Sequence, residues 1–143
     1  MKKIYLIAGL ATSFLFFSCG EEEPSAPTPS PAGNQVSSAT DVWKLNLKIE
    51  ENEDITNEFS QFEFKFLSQG VLEVVNTQSN TTTTGSWLIF EDDGVQELRI
   101  SNLQSQALDE LNDDWYRVEL NDSTMWFRDN LDGILNEVKF IKQ

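Results

Sequence analysis

Histidine is absent from this 143-residue chain, and cysteine occurs once, at Cys19. Without an imidazole, histidine-dependent nucleophilic triads and most zinc sites are excluded. A single thiol excludes an intrachain disulfide, so the folded part must be held by its core. Proline is confined to Pro24, Pro27, Pro29 and Pro31. The stretch from Asp41 to Gln143 contains none, as expected if its strands are paired throughout. Its glycines, Gly70, Gly85, Gly94 and Gly133, are scattered, so no phosphate-cradling loop is present. Long apolar runs are also lacking: Ile4 to Phe17 is too short to cross a hydrocarbon core of about 30 Å. Basic residues are few, 10 Lys and Arg against 24 Asp and Glu, a formal net charge of −14. Removing Lys2 and Lys3 with a leader takes it to −16. Such a charge opposes binding to nucleic acid and docking on anionic lipid.

The first forty residues read as address and spacer. Met1 to Ser18, two lysines followed by an apolar stretch, has the form of a signal peptide that processing removes. Its end, Phe16-Phe17-Ser18-Cys19-Gly20, resembles the lipobox of bacterial lipoproteins, which implies that Cys19 is lipidated and becomes the mature N-terminus. The alternative is an ordinary secretory leader with an incidental cysteine. Two or more acyl chains would make the anchor stable where one is marginal. Residues 19–40 run through Glu21-Glu22-Glu23 into a Pro-, Ser- and Thr-rich segment with little to bury, the composition of a disordered tether. The three glutamates look like the acidic export signal of surface lipoproteins in Bacteroidetes, with simple solubilisation as the other reading.

Residues 41–143 read as one domain, long enough for one core. Gln61 to Asn76 is its clearest segment. Phe62, Phe64 and Phe66 alternate with Glu63 and Lys65, and Val71 to Val75 resumes after Ser68-Gln69-Gly70, the pattern of a hairpin. Val42 to Ile49 is expected to turn Trp43, Leu45, Leu47 and Ile49 inward and Lys44, Asn46 and Lys48 outward. Glu50 to Ser60 is expected to be an acidic loop with Thr56 capping a helical turn and Phe59 folded onto the core. Thr77 to Thr84 reads as a polar connection. Strands follow at Gly85–Glu91, with Trp87 and Ile89 inward, and at Val95–Ser101, joined by an Asp92-Asp93-Gly94 turn. Ala107, Leu108 and Leu111 suggest a short helical insertion. Strands at Trp115–Leu120, Thr124–Arg128 and Ile134–Lys142 complete eight. Short turns between them imply an all-β, eight-stranded antiparallel up-and-down meander closed into a barrel.

The run from Trp43 through Asp54-x-Thr56-x-x-Phe59, the Phe62-x-Phe64-x-Phe66 strand, Gly85-x-Trp87 and Leu111-x-x-x-Trp115 resembles the lipocalin-like lipoproteins of Bacteroidetes. Asp41 stands in place of the glycine of the lipocalin Gly-x-Trp opening, and no matching arginine stands near the C-terminus. The resemblance implies a binding barrel held at the outer membrane by its lipid, at the cell surface or on the periplasmic face.

The remaining chemistry is that of carboxylates. A pair of them could in principle cleave a glycoside, but so many are present that no pair stands out. A non-catalytic binding protein without a cofactor is expected. Loop parity places Glu50 to Glu58, Thr77 to Thr84, Gln104 to Asp114 and Asp129 to Gly133 on one rim. Eleven carboxylates would gather there: Glu50, Glu51, Glu53, Asp54, Glu58, Asp109, Glu110, Asp113, Asp114, Asp129 and Asp132. That rim is either a set of solvated loops or a working surface facing away from the membrane, for calcium, which takes oxygen ligands, or for a basic partner. No segment has EF-hand spacing, so no calcium ligand is named. Trp43, Phe62, Phe64, Phe66, Trp87 and Trp115 either line a pocket for a small apolar ligand or fill the interior. The partner is accordingly such a ligand or another protein. Asp122-Ser123-Thr124 looks like a Bacteroidetes O-glycosylation acceptor and equally like an ordinary turn.

Overall fold

The structure, a computed structural model, describes residues 41–143; the leader expected at 1–18, the lipidation site Cys19 and the tether at 19–40 lie outside the described residues. Nine strands follow in order: β1 (Trp43–Glu50), β2 (Glu53–Asp54), β3 (Phe62–Leu67), β4 (Val71–Asn76), β5 (Thr81–Asp92), β6 (Val95–Ser101), β7 (Asp114–Leu120), β8 (Thr124–Leu131) and β9 (Ile134–Lys142). Each from β3 onward pairs antiparallel with its neighbour in sequence, and β9 returns to β1, closing eight strands into a barrel. The two-residue β2 is an ear on β1, through Ile49 opposite Asp54 and Glu50 opposite Glu53. Closure removes the long exposed edges that an open meander would present.

The expected hairpins form for identifiable reasons. Asp93 and Gly94 both take positive φ, 47° and 78°, as do Asp132 and Gly133, 55° and 83°. These are the left-handed pairs that match a two-residue turn to the twist of its strands. Phe62, Phe64 and Phe66 all point inward, each at most 5% exposed. Leu72 and Val74 face them from β4, and Trp87, Ile89, Leu98 and Ile100 continue the wall. Phe59 folds onto this core, as do Leu108 and Leu111 of a 3-10 turn at Gln106–Leu111, which is the helical insertion; Ala107 stays exposed.

Several local expectations are corrected. The threonines Thr81–Thr84 belong to β5, paired with Val74 and Val75 among others, so the connection shrinks to residues 77–80. β-branched threonine suits a half-exposed strand as well as it suits a loop. β8 runs on to Leu131, placing Asp129 in a strand rather than a turn. Thr56 does not cap its 3-10 turn, whose N-cap residue is Ile55. Its Oγ1 instead accepts the Lys48 amide at 2.8 Å, tying the loop to β1.

The largest correction is in β1. A bulge between Leu45 and Leu47, against β9, shifts the alternation by one residue. Beyond it Leu47 and Ile49 are only half-buried, while Lys48 turns into the barrel and is fully buried. One inserted residue sends every later side chain to the other face.

Two seams are short. β1 meets β3 at Trp43 and Phe64 only, and the rest of that edge is covered by β2 and the loop around Thr56. β6 meets β7 over Glu97–Arg99 and Asp114–Tyr116 only.

Candidate functional site

The loops after β1, β4, β6 and β8 share one end of the barrel, opposite the end where residue 41 enters. At that mouth Glu50, Glu51, Glu53, Ile55, Glu58 and Glu110 line an open cleft of about 310 Å3. The tight turn that carries the first two glutamates is pinned from β9. Asn136 Oδ1 accepts the Glu51 amide at 2.8 Å, and the Asn52 amide donates to the Leu135 carbonyl at 3.1 Å. Glu51 and Asn52 sit at φ 48° and 71°, a strained pair that these bonds hold in place.

Electrostatics differ from one acid to the next. The Thr56 amide donates to Asp54 Oδ1 at 2.9 Å, and bonds from Thr56 hold the Asp54 carboxyl below its ordinary value. Burial pushes Asp113 up against the opposing bond from the Asp114 amide, and the charges of Asp129, Asp114 and Glu50 push the same way. Asp114, expected on the rim, lies instead on the outer wall, where Arg99 grips it through two hydrogen bonds of 2.6 Å. No group of three or more carboxylates or thiols among the described residues is arranged to hold a metal ion.

Below the mouth lies the residue that the alternation misplaced. Lys48 Nζ is ion-paired to Glu50 and sits 4.9 Å from the centroid of the Trp115 ring. Glu50 is about one-third exposed, so the pair links the barrel interior to the acidic cleft. No signal in β1 marks Lys48 as interior, because the bulge that moves it answers to pairing with β9.

The six aromatic residues singled out in the sequence are all brought together in the barrel. Trp43, Phe62, Phe64, Phe66, Trp87 and Trp115 belong to one buried cluster and are each at most 5% exposed. Phe66 meets Trp43 edge-on at 6.2 Å, Trp87 at 5.4 Å and Phe140 at 5.2 Å, and Phe64 meets Phe140 at 5.1 Å. These are the distances of rings packed edge to face. Trp87 Nε1 donates to the Leu67 carbonyl at 2.8 Å and Trp115 Nε1 to the Leu111 carbonyl at 3.4 Å. Trp43 Nε1 is buried without an acceptor.

Comparison with protein-family models, with curated proteins and with solved structures finds no match to this chain.

Proposed function

We propose that this chain is an exported bacterial lipoprotein, anchored to the outer membrane through Cys19, whose barrel is a non-catalytic interaction module with a filled interior. The acidic mouth is its working surface and a basic segment of another protein is its partner. The observation that carries this reading is the ring packing around Phe66, which leaves the interior occupied by the protein's own side chains. Its geometry supports an outward orientation, because the mouth lies opposite the entry of residue 41 and hence opposite the tether. The Bacteroidetes lipocalin-like resemblance rests on the motifs given above and supplies the family expectation.

A second reading, carriage of a small apolar ligand, draws on one observation. The indole N–H of Trp43 is a buried donor that a ligand oxygen would satisfy.

Two measurements separate these readings. Native mass spectrometry of protein purified from its own organism is expected to show the bare chain; a stoichiometric copurifying molecule would select the second reading. Replacing Glu51, Glu53, Glu58 and Glu110 by Gln is expected to abolish cross-linking to a basic protein on intact cells. Unchanged cross-linking would remove the role of the mouth. Cys19→Ser is expected to release the protein from the membrane fraction.

A further inference from the structure

Two carboxylates on the outer wall of the barrel are nearly buried, Glu97 at 7% exposure and Glu137 at 5%. The registers place them in one cross-strand row: Phe90 on β5, Glu97 on β6, Tyr116 on β7, Arg128 on β8 and Glu137 on β9. Their chain neighbours Ile89, Leu98, Trp115, Phe127 and Val138 belong to the core, so this row faces outward. Glu137 is satisfied there. Trp126 Nε1 donates to its Oε1, and Arg128 Nη2 reaches the same oxygen at 3.3 Å. Glu97, by contrast, makes no hydrogen bond and no ion pair among the described residues.

The cations closest to Glu97 in the sheet are occupied. Arg99, two residues along β6, is gripped by Asp114 through two bonds of 2.6 Å, with its guanidinium 4.7 Å from the Phe90 ring centroid. Arg128 stands two strands away, about 10 Å at the usual strand spacing, and is paired to Glu137. Burial first, and then the charges of Asp92, Asp114 and Asp93, hold the Glu97 carboxyl above its ordinary value, against the opposing charge of Arg99. Beside this carboxylate lies an open ring. Tyr116, directly across the β6–β7 ladder, is 48% exposed, and Val95 and Val118 on the same two strands are 44% and 40% exposed. Arg99 shows what such neighbours can hold: a planar guanidinium that stacks on a ring and bonds a carboxylate at once. Glu97 and Tyr116 set the same two groups, a carboxylate and a ring, side by side on adjacent strands.

We propose that Glu97 and Tyr116 form a docking point for an arginine of another protein, whose guanidinium bonds the Glu97 carboxylate and stacks on the Tyr116 ring. Apolar residues beside that arginine pack on Val95 and Val118. Charge complementarity selects the occupant. A carboxylate more than nine-tenths buried, in an acidic surround and without a partner among the described residues, is stabilised by a cation that brings its own hydrogen-bond donors. A guanidinium fits better than an ammonium because it is planar, more weakly hydrated and donates as a fork. A second copy of the chain is a poor source. Its three arginines, Arg99, Arg117 and Arg128, are already held by Asp114, Gln96 and Glu137. The docking point lies on the wall of the barrel and shares no residue with the acidic cleft at the mouth.

The test uses the full chain in detergent, isotope-labelled, with the capped tripeptide Val-Arg-Val as the probe. NMR titration is expected to give saturable shifts at the Glu97 side-chain carboxyl, the Tyr116 ring and the amides of 95–97 and 116–118. The citrulline analogue, which keeps the shape of arginine without its charge, is expected to bind about tenfold more weakly, the loss of a charge-assisted bond. Glu97→Gln is expected to weaken the arginine peptide by a similar factor. That variant removes a charge without a partner among the described residues, so the fold is kept, and unchanged amide positions in the other strands check it. Tyr116→Ala, at an exposed position, and the lysine analogue Val-Lys-Val are each expected to bind about threefold more weakly. Absence of saturable binding, equal binding of the arginine and citrulline peptides, equal binding to the parent and Glu97→Gln, or shifts confined to residues 50–58 and 110 would overturn the proposal. Shifts at 95–97 and 116–118 that grow with protein concentration in the absence of peptide would assign the wall to a second copy and overturn it as well.

Discussion

Phe66 lies where three rings meet, Trp43, Trp87 and Phe140, and it is fully buried. Truncating it leaves a void that the closed barrel relaxes into only partly. Phe66→Ala is expected to cost about 3–5 kcal/mol in urea denaturation. Lys48 and Glu50 call for a different comparison. A buried ion pair is expensive to desolvate, and removing one partner strands the other. Lys48→Met leaves Glu50, which reaches water, whereas Glu50→Gln leaves an ammonium buried against Trp115. The first is expected to be neutral within about 1 kcal/mol. The second is expected to cost about 1–3 kcal/mol, reduced from the fully buried case by the exposure of Glu50. Stability curves of the two variants give the order directly. Glu97 provides the pH dependence. Burial first, then Asp92 and Asp114, raise its carboxyl above the ordinary value of 4.5, so the folded state keeps a proton that the unfolded state has released. Its contribution therefore falls as pH rises from the ordinary glutamate range through the raised value. Glu97→Gln is expected to be more stable than the parent at pH 7, and the two are expected to converge in acid, as followed by thermal melts.

Among the elements, β5 depends on Gly85. A Cβ there would stand 2.8 Å from the Ser101 carbonyl oxygen and 2.8 Å from Leu103 Cδ2, the side chain that packs down from the loop after β6. Backbone cannot give way as a side chain tip can, so Gly85→Ala is expected to cost about 1–3 kcal/mol, read as a lowered Tm. The spacing from Gly85 to Trp87 was visible in the sequence, but its reason was not, because Leu103 arrives from the loop after β6. The β3–β4 hairpin was legible in full, since Phe62, Phe64 and Phe66 alternate without interruption and their turn residues agree. β1 was legible only to Leu45. Past that point the bulge against β9 reverses the faces, and a residue-by-residue alternation rule has no means of placing a bulge set by a strand some ninety residues away. The rim was legible as a grouping, because loop parity follows from strand count. Asp114 escaped it because its partner Arg99 belongs to the outer wall.

At the scale of the whole molecule, charge works against the fold. Residues 41–143 hold twenty-one acidic side chains and eight basic ones, and the five glutamates lining the mouth cleft stand close together. Self-repulsion of this kind is screened over about 10 Å at 0.1 M salt. Added sodium chloride is therefore expected to raise Tm at neutral pH, and a Tm that falls as salt is added would show that ion pairs outweigh the repulsion. By itself the sequence determined the all-β class, the strand count, the inward aromatic set and the acidity of one end. Each is written in alternation, turn residues or composition, which are local properties. Only the tertiary structure decided that Lys48 lies inside, that Trp43, Trp87 and Phe140 pack edge-on against Phe66 and that β6 and β7 part company beyond Tyr116. These follow from closing eight strands on one another, a constraint that no single segment carries and that the bulges in β1 and β7 absorb.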